Sequence, residues 1–201
     1  MLKQVYKDVE KKAKRLVGFG KENIMEIVLV SGKARSGKDS FAKELKKKLE
    51  EKGKKVVIAH YADSLKHVCK YFFGWDGNKD ERGRNLLQKV GTEGFRKKYP
   101  NFWINFIKNI LEVFPDEWDF VIIPDCRFKN EIELWKQDGY CVHTVRMERM
   151  DYQTELTTEQ QHHQSEIDLD DYEFDIKFCC PNNYKNIIIA ANDFVEDILN
   201  V

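Results

Sequence analysis

"VSGKARSGKDS", residues 30–40, decides the fold. Gly32, Gly37 and Lys38 fall in the pattern G-x-x-x-x-G-K, that of a loop wrapping phosphate. Glycine reaches turn dihedrals that other residues resist. Successive backbone N–H groups can then point at one anion, and a helix opening at the lysine adds the positive end of its dipole. The flanks agree. "EIVLVS" (26–31) is a short apolar run of strand type, and Phe41, Ala42, Leu45 and Leu49 follow at helical spacing until Gly53. Asp39 departs from the pattern. Such loops commonly carry there a Ser or Thr whose hydroxyl ligates Mg2+, and here Ser40 comes one place later. Three readings stay open: Asp39 holds a metal through water, orients a cation of the site, or favours the first helical turn.

Outward from the loop, strands and helices alternate. Residues 55–62, 119–125, 140–147 and 174–180 read as further strands. Helical spacing is expected over 63–74, 85–99, 101–114, 129–139 and 183–199, with a polar turn at 75–84 and an irregular polar stretch at 148–171. Val5, Val9, Ala13, Leu16 and Val17 predict an amphipathic helix over 3–17. The pattern predicts an α/β fold with a five-stranded, mostly parallel sheet. Ligands of such sheets bind beyond the carboxyl ends of the strands. Three of these ends carry polar clusters: 32–40, 63–66 and 125–131.

The bulk composition narrows the class. A chain of 201 residues with 42% hydrophobic and 12% aromatic residues suits one domain with a true core. No apolar window is long enough to span a membrane, and the charged start, "MLKQVYKDVEKKAKRLVGFG", is unlike a secretory signal. The five cysteines form no C-x-x-C pair and read as reduced thiols of a cytoplasmic protein, or of a host's cytoplasm if the chain is viral. Net charge is +0, yet residues 1–70 carry +10 and residues 146–201 carry −9. Many of the lysines interleave with acids, as on solvated helix faces, so a nucleic-acid partner is not expected. A basic half suits multiply charged phosphates.

Two segments suggest what the loop serves. "DFVIIPDCRFKNE" (119–131) is an apolar strand ending in Asp125, then Arg127, Asn130 and Glu131. A strand-end carboxylate beside a phosphate loop orients Mg2+ or its waters, and an arginine two residues on can reach a transferring phosphoryl group. Pro124 donates no ladder hydrogen bond and is tolerable only at the strand's last turn. In "RGRNLLQKVGT", Arg84, Gln88, Gly91 and Thr92 share one helical face, offering a guanidinium, an amide and a hydroxyl. Asp63 and Lys66 sit at a strand end facing the same cleft, where Asp63 also reads as a helix cap. Trp103 either stacks on a base or fills the core. Arg146 and Arg149 border residues 148–165, a candidate lid. His162 and His163 lack a suitably spaced partner for a metal.

These segments, with "YADSLK", "FFGWDGNKDERGRNLLQKVGTE", "NFWIN", "VRMER" and "HQSE", resemble the bacteriophage-type deoxynucleoside monophosphate kinases over residues of about 26–180. The resemblance implies a P-loop kinase-like three-layer sandwich in one domain. It would carry a helical monophosphate-binding region at about 63–114, a lid at about 147–165 and an N-terminal extension, 1–24, that is a dimer contact or a surface cover. It also implies transfer of phosphate from ATP, with Mg2+, to a deoxynucleoside monophosphate. Lys38, Arg127, Asp39, Arg35 and Asp125 would carry the transfer. Gly32, Lys33, Ser36, Gly37, Ser40 and Arg146 would hold ATP with them, and Ser40, Asp39 and Asp125 the metal. Asp63, Lys66, Arg84, Gln88, Gly91, Thr92, Trp103, Glu131, His163 and Glu166 would face the acceptor. Ser40 in place of Thr, Pro124 and Cys126 depart from the family pattern. Two rival readings are another small-molecule kinase of phosphomevalonate-kinase type and a nucleic-acid-associated ATPase or nucleotide-binding module.

Overall fold

The side chains of the first strand alternate between two apolar cores, and this alternation organises the molecule. The computed structural model describes residues 25–150, 154, 156–180 and 183–199. The expected helix over 3–17 and residues 151–153 and 155 of the expected lid lie outside the described residues. In chain order the elements are β1 (Glu26–Ser31), α1 (Lys38–Glu51), β2 (Val56–Ile58), α2 (Tyr61–Phe73), α3 (Glu81–Gln88), a π-helix (Lys89–Arg96), α4 (Phe102–Val113), β3 (Phe120–Ile123), α5 (Lys129–Gln137), β4 (Cys141–Arg149), α6 (Thr158–Gln161), α7 (Gln164–Ile167), β5 (Ile176–Cys180) and α8 (Tyr184–Leu199).

The sheet runs β2-β3-β1-β4-β5, and every pairing among the described strands is parallel. Val28 and Val30 face one side, against Phe41, Leu45 and Leu49 of α1 and Ala191 and Phe194 of α8. Ile27 and Leu29 face the other, against Trp103 and Ile107 of α4 and Ile132 and Trp135 of α5. A strand buried on both faces needs a continuous apolar run, which "IVLV" supplies. Because all strands point one way, the loop after β1, the start of α2, the turn after β3 and the far half of β4 gather at one edge. Register adds precision: Ser31 is the partner of Arg146, so that arginine stands beside the last residue before the loop.

Several boundaries differ from the periodicity. β2 has three residues, not eight, and α2 begins at Tyr61 rather than residue 63. The cause is Asp125, whose two oxygens accept the N–H groups of Tyr61 (3.0 Å) and Ala62 (2.8 Å) and so cap α2 from another strand's end. The expected polar turn closes at Asp80, whose carboxylate accepts the Gly83 N–H at 2.7 Å and opens α3. The helix expected over 85–99 changes into the π-helix at Lys89. There the Gly91 carbonyl accepts from Trp103 Nε1 at 3.3 Å. A Cβ at Gly91 would stand 2.6 Å from Leu65. β3 ends at Ile123, which leaves Pro124 outside the ladder. Two short helices, α6 and α7, occupy part of the stretch read as irregular.

Phe41 is fully buried, with its ring 5.6 Å from Phe178 and 6.1 Å from Phe194. Phe41→Ala is expected to cost about 3–5 kcal/mol of stability in chemical denaturation, whereas Val113→Ala, on the exposed side of α4, changes it by less than about 0.5 kcal/mol.

Candidate functional site

The loop between β1 and α1 has the backbone that its glycines predict. Gly32 has φ +149° and Gly37 φ +91°. A Cβ on Gly32 would lie 2.3 Å from the Met147 carbonyl oxygen and 2.5 Å from Ser36 Oγ, so the cradle closes only around glycine. Arg35, at the loop's tip, adopts φ +56° and points its carbonyl at Arg149 Nη1 (3.3 Å). Lys38 is buried and folds back over the loop, donating to the Lys33 carbonyl at 2.6 Å and to Ser36 Oγ at 3.3 Å. Burial lowers its pKa to about 7. Arg127 and Arg146 push the same way, against Asp39 and Glu166. An ammonium crowded by guanidinium groups and short of anions is what a polyphosphate would relieve.

Beside the loop lies a cavity of about 440 Å3, lined by Lys33, Ser36, Arg146, Arg149, Leu156 and Glu166, among others. Asp170 holds its cations in place: it accepts from Lys33 Nζ at 2.6 Å and from Arg146 Nη2 at 2.9 Å. Arg146 Nη1 also reaches Ser31 Oγ at 3.3 Å, as the strand register requires.

A second cavity, of about 210 Å3, adjoins the first, and Leu156 and Glu166 line both. The α3 and π-helix face turns into it: Arg84, Gln88, Gly91, Thr92 and Arg96. Lys66 and Lys79 line it from α2 and the turn before α3, and Asp125, Arg127 and Glu131 from the end of β3 and the start of α5. Arg127 is half-buried, and its Nη1 pairs with Glu166 Oε1 at 2.8 Å. The other oxygen of Glu166 is buried with no hydrogen-bond partner among the described residues, as is Nη1 of Arg96. Trp103 lines this cavity while 2% exposed, packed 4.9 Å from Phe95 and 4.8 Å from Phe102.

Glu131 fixes the floor. Fully buried, it accepts the N–H groups of Arg127 (2.6 Å) and Phe128 (3.1 Å) with one oxygen and pairs with Arg96 through the other. Burial raises its pKa, and the Arg96 guanidinium and these N–H groups oppose that rise. Arg96 in turn lies over the Phe128 ring at 4.1 Å. Burial likewise raises the pKa of Asp125, whose capping bonds to α2 work the other way.

Asp39 has a partner the sequence did not suggest. His60 Nε2 lies 3.3 Å from Asp39 Oδ1, and His60 Nδ1 lies 3.5 Å from Asp63 Oδ2. The hydrogen bond lowers the pKa of Asp39 and raises that of His60. Most expected residues thus line one of the two cavities, but Gly32, Gly37, Lys38, Asp39 and Ser40 of the loop and helix start do not, and Arg35, Asp63 and His163 stand further aside. Arg35 is exposed, Asp63 pairs with His60 and Lys66 outside both linings, and His163 caps α7 by accepting the Ser165 N–H at 3.2 Å. Lys79, Arg96, Leu156 and Gln160 were missed. Arg96 carried a readable signal, one helical turn beyond Thr92. Gln160 carried none, since it arrives from α6 by tertiary packing and donates to Asn85 at 2.9 Å.

Residues 25–97 match a family model described as "Chromatin associated protein KTI12". No curated protein matches the chain. Among solved structures, the shikimate kinase from Acinetobacter baumannii in complex with shikimate aligns with a TM-score of 0.53 at 14% identity, over 89% of this chain and 95% of that one. Shikimate kinase from Bacteroides thetaiotaomicron aligns with a TM-score of 0.50 at 14% identity, over 88% and 99%. The Mycobacterium tuberculosis APS kinase in complex with AMPPNP and APS aligns with a TM-score of 0.49 at 14% identity, over 88% and 98%. The two shikimate kinases show the fold: the chain has the P-loop kinase-like α/β architecture that its strand order and loop describe. No described helix is long and apolar enough to cross a membrane.

Two outcomes follow from this geometry. Glu131→Ala strands the Arg96 guanidinium in the interior, and stability should fall by about 3–5 kcal/mol in denaturant unfolding. With the pKa of Lys38 at about 7 in the free protein, binding inorganic triphosphate at pH 8 should be accompanied by proton uptake, because the anion raises that pKa. Affinity should therefore weaken as pH climbs through 7. Calorimetry in buffers of different ionisation enthalpy reads the uptake, which Lys38→Met should abolish.

Proposed function

We propose that the protein transfers the γ-phosphoryl group of ATP to the 5′-phosphate of a nucleoside monophosphate, preferring a deoxynucleotide, to give the diphosphate. The observation that carries the reading is the meeting of two cavities at Glu166 and Leu156. One is bounded by the phosphate loop and the other by Arg84, Arg96 and Arg127. The second cavity holds more cationic groups than a neutral acceptor would need. Gln88 and Thr92 add an amide and a hydroxyl suited to a base edge.

The first cavity, with the loop beside it, suits a nucleoside triphosphate. The Gly32 cradle admits close approach of backbone N–H groups to phosphate, and Lys38, Lys33 and Arg146 supply the charge. Asp39, Ser40 and Asp125 would hold Mg2+, the carboxylates through water. When bound, the ion would supply neutralisation of phosphate charge. The protein's own groups do the rest. Lys38 reaches the terminal phosphates, and Arg127 exchanges Glu166 for the transferring group. Arg84 and Arg96 anchor the acceptor phosphate. Leu156, Gln160 and Glu166 close over the junction and exclude water. A phosphate monoester has a second pKa near about 6, so its oxygen is already a nucleophile at neutral pH and needs no general base. The carboxylates of this cavity accord with that. Asp125 is committed to α2, Glu131 to Arg96 and the chain turn, and Glu166 to Arg127. Catalysis is then alignment and charge stabilisation.

The match to the chromatin-associated family model favours a second reading, a nucleic-acid-associated ATPase. The basic N-terminal third of the chain would be its polyanion contact. A coupled ADP-release assay with ATP, Mg2+ and each ribo- and deoxynucleoside monophosphate separates the two. The kinase reading expects turnover with at least one monophosphate and no stimulation by polynucleotide. Polynucleotide-stimulated hydrolysis without monophosphate turnover would favour the ATPase. Phosphomevalonate turnover instead would favour the remaining small-molecule rival. Arg127→Ala should lower kcat by on the order of 10²–10³-fold while leaving the circular dichroism spectrum unchanged.

A further inference from the structure

Three side chains of different chemistry converge at the opposite end of the sheet from both cavities. Glu26 opens β1, Cys141 opens β4, and the two are register partners across the parallel pair. His143 follows two residues along β4, on the same face as Cys141. The spacing of about 3.3 Å per residue puts this group roughly 16 Å from Ser31 and the phosphate loop.

The donor atoms stand close together. Glu26 Oε2 lies 2.7 Å from His143 Nε2 and 3.7 Å from Cys141 Sγ, and Sγ lies 3.7 Å from Nε2. We infer that Glu26, Cys141 and His143 form a binding site for a thiophilic divalent cation, Zn2+ being the best match. A tetrahedral Zn2+ with ordinary bond lengths sets S···N and S···O separations of about 3.5 Å and an N···O separation of about 3.3 Å. Both sulfur separations already have these values to within a few tenths of an ångström. Only the histidine–carboxylate pair, now hydrogen-bonded, must open by roughly 0.6 Å.

The rest of the setting suits an open site. A thiolate and a carboxylate neutralise the dication, and imidazole completes a borderline-soft ligand set. Cys141 is exposed, and the Glu26 and His143 side chains keep 33% and 23% of their surface, so the ion has a way in and water can fill the fourth position. The imidazole is backed edge-on by Phe194 at 6.0 Å, which limits its rotation. The strand ladder fixes the Cα positions of all three ligands. Bound metal would therefore clasp β1 to β4 at their starts.

Co2+ titration of the full chain tests this, at mildly alkaline pH with a phosphine reductant, because metal must displace protons from its ligands. One Co2+ per chain is expected, with a near-ultraviolet thiolate-to-metal charge-transfer band and the intense visible bands of a four-coordinate ion. Zn2+ should bleach these bands and raise Tm. Cys141→Ser should abolish the charge-transfer band, and His143→Gln the visible bands. Cys179→Ser, at another exposed thiol, beside Glu148, should leave both intact. Circular dichroism confirms that each variant is folded. Absence of a charge-transfer band, or its survival in Cys141→Ser, would overturn the assignment and leave a histidine–glutamate ion pair beside a bystander thiol.

Discussion

The architecture of the second cavity depends on a single buried carboxylate. Glu131 has no contact with water, so its charge must be met from within. It is met by the chain turn that carries Arg127 and by Arg96 at the end of the π-helix. A turn after a parallel strand is ordinarily the most variable part of the fold. Here two of its N–H groups are bonded to an anion rooted in α5, so the direction of Arg127 is set by backbone. The same carboxylate draws Arg96 inward until it stacks on Phe128. Strand end, helix start and π-helix therefore share one point of attachment. Asp125 does for α2 what Glu131 does for this turn, joining the end of β3 to the start of the neighbouring helix.

The charges of the cleft form a second layer of order. Lys33, Arg127 and Arg146 are each met by a carboxylate of the segment from Glu166 to Asp170. That segment acts as a provisional anion. It keeps these cations pointing inward, in the geometry that the proposed phosphate ligand would need. Lys38, the most enclosed of them, leans on backbone and hydroxyl oxygens instead, and its lowered pKa records the shortage of negative charge around it.

Much of the fold was legible because two periods are strong in this sequence. "EIVLVS" and "DFVIIP" are too apolar and too short for anything but buried parallel strands, and the loop motif fixes which way the sheet points. The face formed by Arg84, Gln88, Gly91 and Thr92 was legible for the same reason, since α-helical spacing put them together before any tertiary contact was known. Illegible features are those decided by distant partners. His60 reads as a strand residue until Asp125 pulls the helix start back to Tyr61. Gln160 and Leu156 join the site only because a polar stretch folds back over α3. Glu26 lies more than a hundred residues from Cys141 and His143, and no spacing rule links it to them; a parallel ladder does.

The wide turn from Lys89 to Arg96 has a consequence for how this chain can vary. A π-helix holds more residues per turn than its α-helical neighbours, as though one residue had been inserted without lengthening the element by a full step. A residue removed there is absorbed by the winding, because the eight residues of the π-helix turn about as far as seven α-helical ones. Arg84 before the segment and Arg96 after it would keep their facing, and only the stretch between, where Gly91 sits against Leu65, would be rearranged. Related chains should therefore differ in length by a single residue here without losing the pairing of Arg96 with Glu131.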